Sequence, residues 1–200
     1  MSILILLTYP LFSHVFVISG HPFWAAVYLL GLIGLFLIQA ILKQNLLLVL
    51  IMTSLLVTGT SLVMQNQSTV LMYLPPVMIN LGLLLLFGRS LKHDHIPIIT
   101  RYAQLIDGHL DQQMSIYTKR VTQVWTILFF VLLIESICLA IFSPIVIWSL
   151  FTNFVNYILV IVIFVAEYIY RNVVYPDLPK RSFLQFLYQL LQIRPSQLRV

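Results

Sequence analysis

Residues 122–142 read TQVWTILFFVLLIESICLAIF, with Glu135 as the one charged side chain in the run. A helix rises about 1.5 Å per residue and the hydrocarbon core of a bilayer is about 30 Å thick, so this stretch is long and apolar enough to span a membrane. On its C-terminal side, past Ser143 and Pro144, lies a second such run at 146–169. Toward the N-terminus the same reading finds four more, at 2–19, 22–42, 45–64 and 70–87. The expected fold is therefore all-α: a polytopic membrane bundle of six transmembrane helices.

The composition agrees. Sixty per cent of the 200 residues are hydrophobic and 8% are charged, with a mean hydropathy of +1.00. A water-soluble surface needs far more polar cover than that. The formal charge of +5 points away from nucleic acid once the positions of the charges are read, because the basic residues flank apolar runs. The single cysteine, Cys138, sits inside one of those runs, which leaves no disulfide framework and no cysteine-rich zinc site within one chain. Thr8, Tyr9, Pro10, Ser13 and His14 interrupt the first run. It lacks both the basic start and the small-x-small cleavage site of a signal peptide, so a retained helix is expected there.

All eleven Lys and Arg residues fall in three regions: Lys43; then Arg89, Lys92, Arg101, Lys119 and Arg120; then Arg171, Lys180, Arg181, Arg194 and Arg199. With six spans these regions share one face, and the positive-inside rule makes it the cytoplasmic one, with both termini inside. The turns on the opposite face carry no Lys, Arg, Asp or Glu. Two cytoplasmic pieces stand out. In the connector at 88–121, Pro97, Ile98, Tyr102, Leu105, Ile106, Leu110 and Met114 recur at helical spacing, as in a short amphipathic helix against the bundle, and Gly108 weakens its middle. After the 1–170 bundle, the 171–200 tail holds a second amphipathic helix at 181–193. There Gln185, Gln189 and Gln192 form one stripe and Phe183, Phe186, Leu187, Leu190 and Ile193 cover the other side, the pattern of a C-terminal interfacial helix.

Among residues that carry chemistry, Glu135 is foremost, since an ionisable group deep in a span is costly and is usually paired, protonated or functional. It lies about 18 Å from the cytoplasmic end, a depth shared by His14 and Asn156, so these three are expected to form one polar layer, with a Glu135–His14 pair able to hold or pass a proton. Alternatively the Glu135 carboxyl only ties helix to helix. Pro75 and Pro76 followed by Asn80 read as a kinked helix, or as the broken helix of a transporter site. His93 and His95 around Asp94 read as a solvated turn, and no metal or cofactor is expected. Glu167 and Arg171, four residues apart, read as an ion pair. The Tyr117-Thr118-Lys119-Arg120 cluster with Trp125 reads as an interfacial anchor for anionic headgroups. Gly31 and Gly34 are the expected points of close helix packing. Phosphate loops, paired-histidine zinc helices and nucleophile elbows are absent from the sequence, so no catalytic residue is nominated.

Tyr73-Leu74-Pro75-Pro76 with Asn80, Phe87-Gly88-Arg89-Ser90-Leu91, Pro97, Arg101-Tyr102-Ala103, Tyr117-Thr118-Lys119-Arg120-Val121-Thr122 with Trp125, Asn153, Glu167-Tyr168, Arg171 and Tyr175-Pro176 follow one another in this chain. In that order they resemble a small bacterial inner-membrane family. Its members are often encoded beside ketosynthases, acyl carrier proteins and acyltransferases of aryl-polyene and related lipid clusters. The resemblance covers residues 73–176. It implies a Gram-negative inner membrane and a neighbourhood of acyl-chain synthesis, and it supplies no catalytic residue. Members are sometimes loosely called ketosynthases, but Cys138 within a span, without paired histidines, does not fit a condensing enzyme. The expected function is an accessory of lipid or aryl-polyene acyl-chain assembly, in contact with membrane lipids, that docks an acyl carrier protein or condensing enzyme or handles the product. Docking falls to Arg101, Lys119, Arg120, Lys180 and Arg181, because acyl carrier proteins are acidic. A transporter built on Asn80 and Glu135, or an enzyme acting on lipid headgroups, are the alternatives.

Overall fold

The computed structural model describes residues 2–108 and 110–174. The expected tail helix at 181–193, with Lys180 and Arg181, lies outside the described residues. Seven helices run in order: α1 Ser2–Ile18, α2 Pro22–Leu42, α3 Leu46–Met64, α4 Ser68–Ser90, α5 Ile98–Asp107, α6 Gln112–Phe142 and α7 Ile145–Val174. There is no strand among the described residues. Five of the helices, α2, α3, α4, α6 and α7, are long and apolar enough to cross a membrane, and α1 is a shorter apolar helix. The chain is thus an all-α, multi-pass membrane protein.

The helix ends follow from local chemistry. Pro22 occupies the start of α2, where its missing N–H is harmless. The α2–α3 turn places Gln44 at φ 52°, and Asn45 caps α3 by accepting a hydrogen bond from the Leu48 N–H at 3.1 Å. Pro97 precedes α5, and Gly108 at φ 80° ends it, a backbone conformation that glycine adopts without strain. Asp111 Oδ1 accepts from the Met114 N–H at 2.7 Å, so α6 begins at Gln112, ten residues ahead of its expected start at Thr122. No glycine or proline lies between 112 and 142, so nothing stops the helix once Asp111 has started it. Pro75 and Pro76 leave α4 helical from Ser68 to Ser90. Each lacks the amide that a carbonyl four residues earlier would accept from, at Leu71 and Met72, and both of those residues are buried.

Two compact units emerge, one of residues 1–78 and 135–158, the other of residues 79–134 and 159–200. In the first, Val17, Ala25, Ala26, Leu71, Met72 and Trp148 form the apolar core. Among its glycines the tightest packing is at Gly59 of α3, where an added Cβ would lie 2.7 Å from Leu30 Cδ2 and 3.3 Å from Leu71 Cδ1. That role was expected of Gly31 and Gly34, but a Cβ at Gly31 meets nothing within 4 Å and one at Gly34 only Leu56 Cδ1 at 3.8 Å.

In the second unit the core is Met114, Tyr117, Val121, Trp125, Leu128, Phe129 and Leu132 along α6. Helix α5 is fastened to it by hydroxyls. Ser90 Oγ accepts from the Ile98 N–H at 3.1 Å and donates to the Phe87 carbonyl at 2.7 Å, and the Thr100 and Thr118 hydroxyls pair at 2.8 Å. Those bonds set the rotation of α5, which buries Ile98, Thr100 and Ala103 and turns Leu105 outward at 46% exposure. Leu105 was expected on the inner face. A reading of apolar spacing alone gives no weight to a threonine, and here Thr100 decides the rotation.

Candidate functional site

Two constellations carry chemistry, one in each unit. In the second unit, α4, α5, α6 and α7 enclose a cavity of about 290 Å³, near the lower end of the range for small-ligand sites. Its wall is largely aromatic: Phe87, Tyr102, Tyr117, Trp125, Phe129 and Phe164. Phe87 meets Phe129 edge to face at 5.1 Å, and Trp125 lies 5.6 Å from Phe129, geometries that aromatic pairs favour. Its polar lining comprises Thr118, the Tyr102 hydroxyl and a cluster of Tyr117, Glu167 and Arg171. The Tyr117 hydroxyl donates to Glu167 Oε1 at 3.1 Å, Arg171 lies within electrostatic reach of both, and the Tyr117 ring stacks on Tyr170 at 5.8 Å. A second cleft, of about 480 Å³, shares Tyr117, Val121, Trp125 and Glu167 with the first and adds Arg120 and Gln113. Partial burial raises the Tyr102 phenol on α5 above its ordinary pKa, so it remains a neutral hydrogen-bonding group at any physiological pH.

The sequence places several of these residues differently. Trp125 was expected at the interface as an anchor, but it is 9% exposed and lines the cavity. Tyr117 and Thr118 of the same cluster are buried, while Lys119 and Arg120 are exposed. Glu167 was paired with Arg171 by spacing alone. Its hydrogen-bond donor is Tyr117, fifty residues away in sequence, which no local pattern reveals. Of the docking candidates, Arg101 on α5 is partly buried, and Lys119 and Arg120 stand free on α6. Asn80 is buried and belongs to this second unit.

The first unit contains the other polar candidates. His14 Nδ1 lies 3.0 Å from Ser149 Oγ, and Asn153 Nδ2 donates to the same Ser149 oxygen at 3.0 Å. The Glu135 carboxyl is hydrogen-bonded by the Asn156 side chain. His14 and Glu135, expected as a direct pair in one layer with Asn156, take different partners on α7, Ser149 and Asn156, which stand seven residues apart in sequence. Ser149, Asn153 and Asn156 fall at helical spacing and all three are buried. A π-helical turn, Phe151–Val155, lies within that stretch, its ring closed by the Asn156 N–H on the Phe151 carbonyl. Such turns recur at functional sites, and apolar periodicity gave no sign of this one.

His93 Nδ1 and Asp94 Oδ1 are 3.8 Å apart in a fully exposed turn. No group of three His, Cys, Asp or Glu side chains converges among the described residues. The chain matches no protein-family model, no curated protein and no solved structure.

Proposed function

We propose that this is a bacterial inner-membrane accessory of acyl-chain assembly, of the lipid or aryl-polyene kind, which holds an acyl product in the second unit's cavity while an acyl carrier protein or condensing enzyme docks at its basic end. The observation that carries the reading is the cavity itself: aromatic and aliphatic over most of its lining, with a polar cluster of Tyr117, Glu167 and Arg171. An apolar tail with a polar head is the class of ligand that such a wall accommodates. The exposed Lys119 and Arg120 on α6 support docking of an acidic carrier, since complementary charge steers encounter and fixes register. In this reading the basic end is cytoplasmic and both termini lie there, as the distribution of Lys and Arg favours.

The test is binding of a fluorescent long-chain fatty acid, and separately of an acyl-loaded acyl carrier protein, to the purified full-length protein in mild detergent. Ala103→Leu puts bulk into the cavity wall, and it is expected to weaken the fatty acid by about tenfold while leaving the carrier protein unaffected. Neutralising Lys119 and Arg120 together is expected to do the reverse, with a loss that shrinks as salt rises. A fatty acid that binds Ala103→Leu as tightly as the unaltered protein would remove the cavity from the proposal.

A further inference from the structure

The polar seam of the first unit has no part in acyl binding, and its interior is not saturated by protein partners. Four buried polar atoms there, Tyr9 Oη, Ser13 Oγ, Trp148 Nε1 and Glu135 Oε2, have no hydrogen-bond partner outside this set among the described residues. Ser13 is 0% and Trp148 1% exposed. Buried polar groups are nearly always satisfied, and one left alone calls for an ordered water or a ligand.

The register of α1 against α7 gathers these atoms. His14 meets Ser149, the residue after Trp148. Further down the pair, Tyr9 lies within electrostatic reach of Tyr157, the residue after Asn156, and Asn156 is the partner of Glu135. Tyr9 and Ser13, one turn apart on α1, bring their hydroxyls close. Tyr9 and Glu135 thus stand at the same level of α7, and His14, Ser13 and Trp148 at the level above. The set combines hydroxyl and indole donors with one carboxyl oxygen, which matches the needs of water.

We propose that this seam is a hydrated proton-exchange site within the membrane, in which a chain of waters, bound by Trp148, Ser13 and Tyr9 in turn, exchanges a proton with Glu135. In the forward step Glu135 Oε2 takes a proton from a hydronium in the seam and leaves a water. In the reverse step the new O–H bond breaks and the proton returns; no electron moves and no other bond changes. Asn156 holds the carboxyl in place. The titratable groups around it are Tyr9 and His14 on α1, Tyr28 on α2, which is hydrogen-bonded to Thr8, Tyr73 on α4, whose ring meets Trp148, and Tyr157 on α7.

Infrared spectroscopy of the full-length protein tests this, using isotopically labelled glutamate and transfer from H₂O to D₂O. With Glu135 and Glu167 the only glutamates, a protonated-carboxyl band is expected that shifts promptly in D₂O, disappears in Glu135→Gln and persists in Glu167→Gln. Trp148→Phe keeps the ring packing but removes the indole donor, and it is expected to slow the exchange by about tenfold. If Glu135→Gln does not fold, the band that persists in Glu167→Gln still identifies Glu135. A Glu135 band that fails to shift in D₂O, the lack of any such band, or an unchanged rate in Trp148→Phe would overturn the proposal.

Discussion

The two units bury opposite kinds of interior. In the first, α1 meets α7 through His14 and Ser149 at 3.0 Å, Ser13, Asn153 and Asn156 are buried as well, and several polar atoms lack protein partners. In the second, α6 and its neighbours bury Trp125, Phe129, Leu128 and Leu132 around open space, and the one interhelical acid, Glu167, receives a hydroxyl. The first unit thus carries a buried polar seam beside its apolar core, and the second a cavity with a short polar stretch in its wall. In hydrocarbon, where burial of apolar side chains gives no hydrophobic gain between helices, these are two different ways to hold helices together: by hydrogen bonds in one case and by close van der Waals contact in the other.

Three substitutions test that contrast, read as unfolding free energies in detergent with helix content followed by circular dichroism. Trp125→Ala deletes the largest side chain of the second unit's core and is expected to destabilise by about 3 kcal/mol. A loss below about 1 kcal/mol would mean that the aromatic wall collapses readily, and would break the distinction between a built cavity and loose packing. Gly59→Val in the first unit drives a branched side chain against Leu30 and Leu71 and is expected to cost about 2 kcal/mol. If it is neutral, that unit is held by its polar seam and hardly at all by close approach. Ser149→Ala removes the oxygen shared by His14 and Asn153. The expected loss is about 0.6 kcal/mol, the usual size of an interhelical hydrogen bond in a membrane. A loss several times larger would sharpen the contrast, because it would make the seam a cooperative network.

Much of the fold is legible in the sequence because it rests on long-range averages. Apolar run length places α2, α3 and the core of α4, α6 and α7 within a few residues, while Gly108, read as weakening the middle of one connector helix, ends α5 and leaves Met114 to α6. The misses have a common cause. The early start of α6 hangs on one carboxylate, Asp111, and the rotation of α5 on one hydroxyl pair, Thr100 with Thr118. Neither leaves a trace in hydropathy. The site is legible by residue type but not by pairing. Glu135, His14 and Asn156 stand out by residue type as polar groups within spans, yet which of them touch depends on helix facing, and Ser149, the residue that accepts from Asn153 and meets His14, is not singled out by the sequence at all. Trp125 shows the reverse error, since a tryptophan near the end of a span reads as an interfacial anchor until a tertiary cavity is known to surround it.

The uninterrupted length of α6 has a mechanical consequence. Thirty-one residues at about 1.5 Å each make a rod of roughly 46 Å, half as long again as the hydrocarbon it crosses. A modest tilt does not absorb such an excess, so close to three turns at one end, those bearing Tyr117, Lys119 and Arg120, stand in the headgroup layer or beyond it as a stiff strut. A partner that pulls or rotates that strut acts on the membrane-embedded turns directly, with no flexible joint between to dissipate the motion.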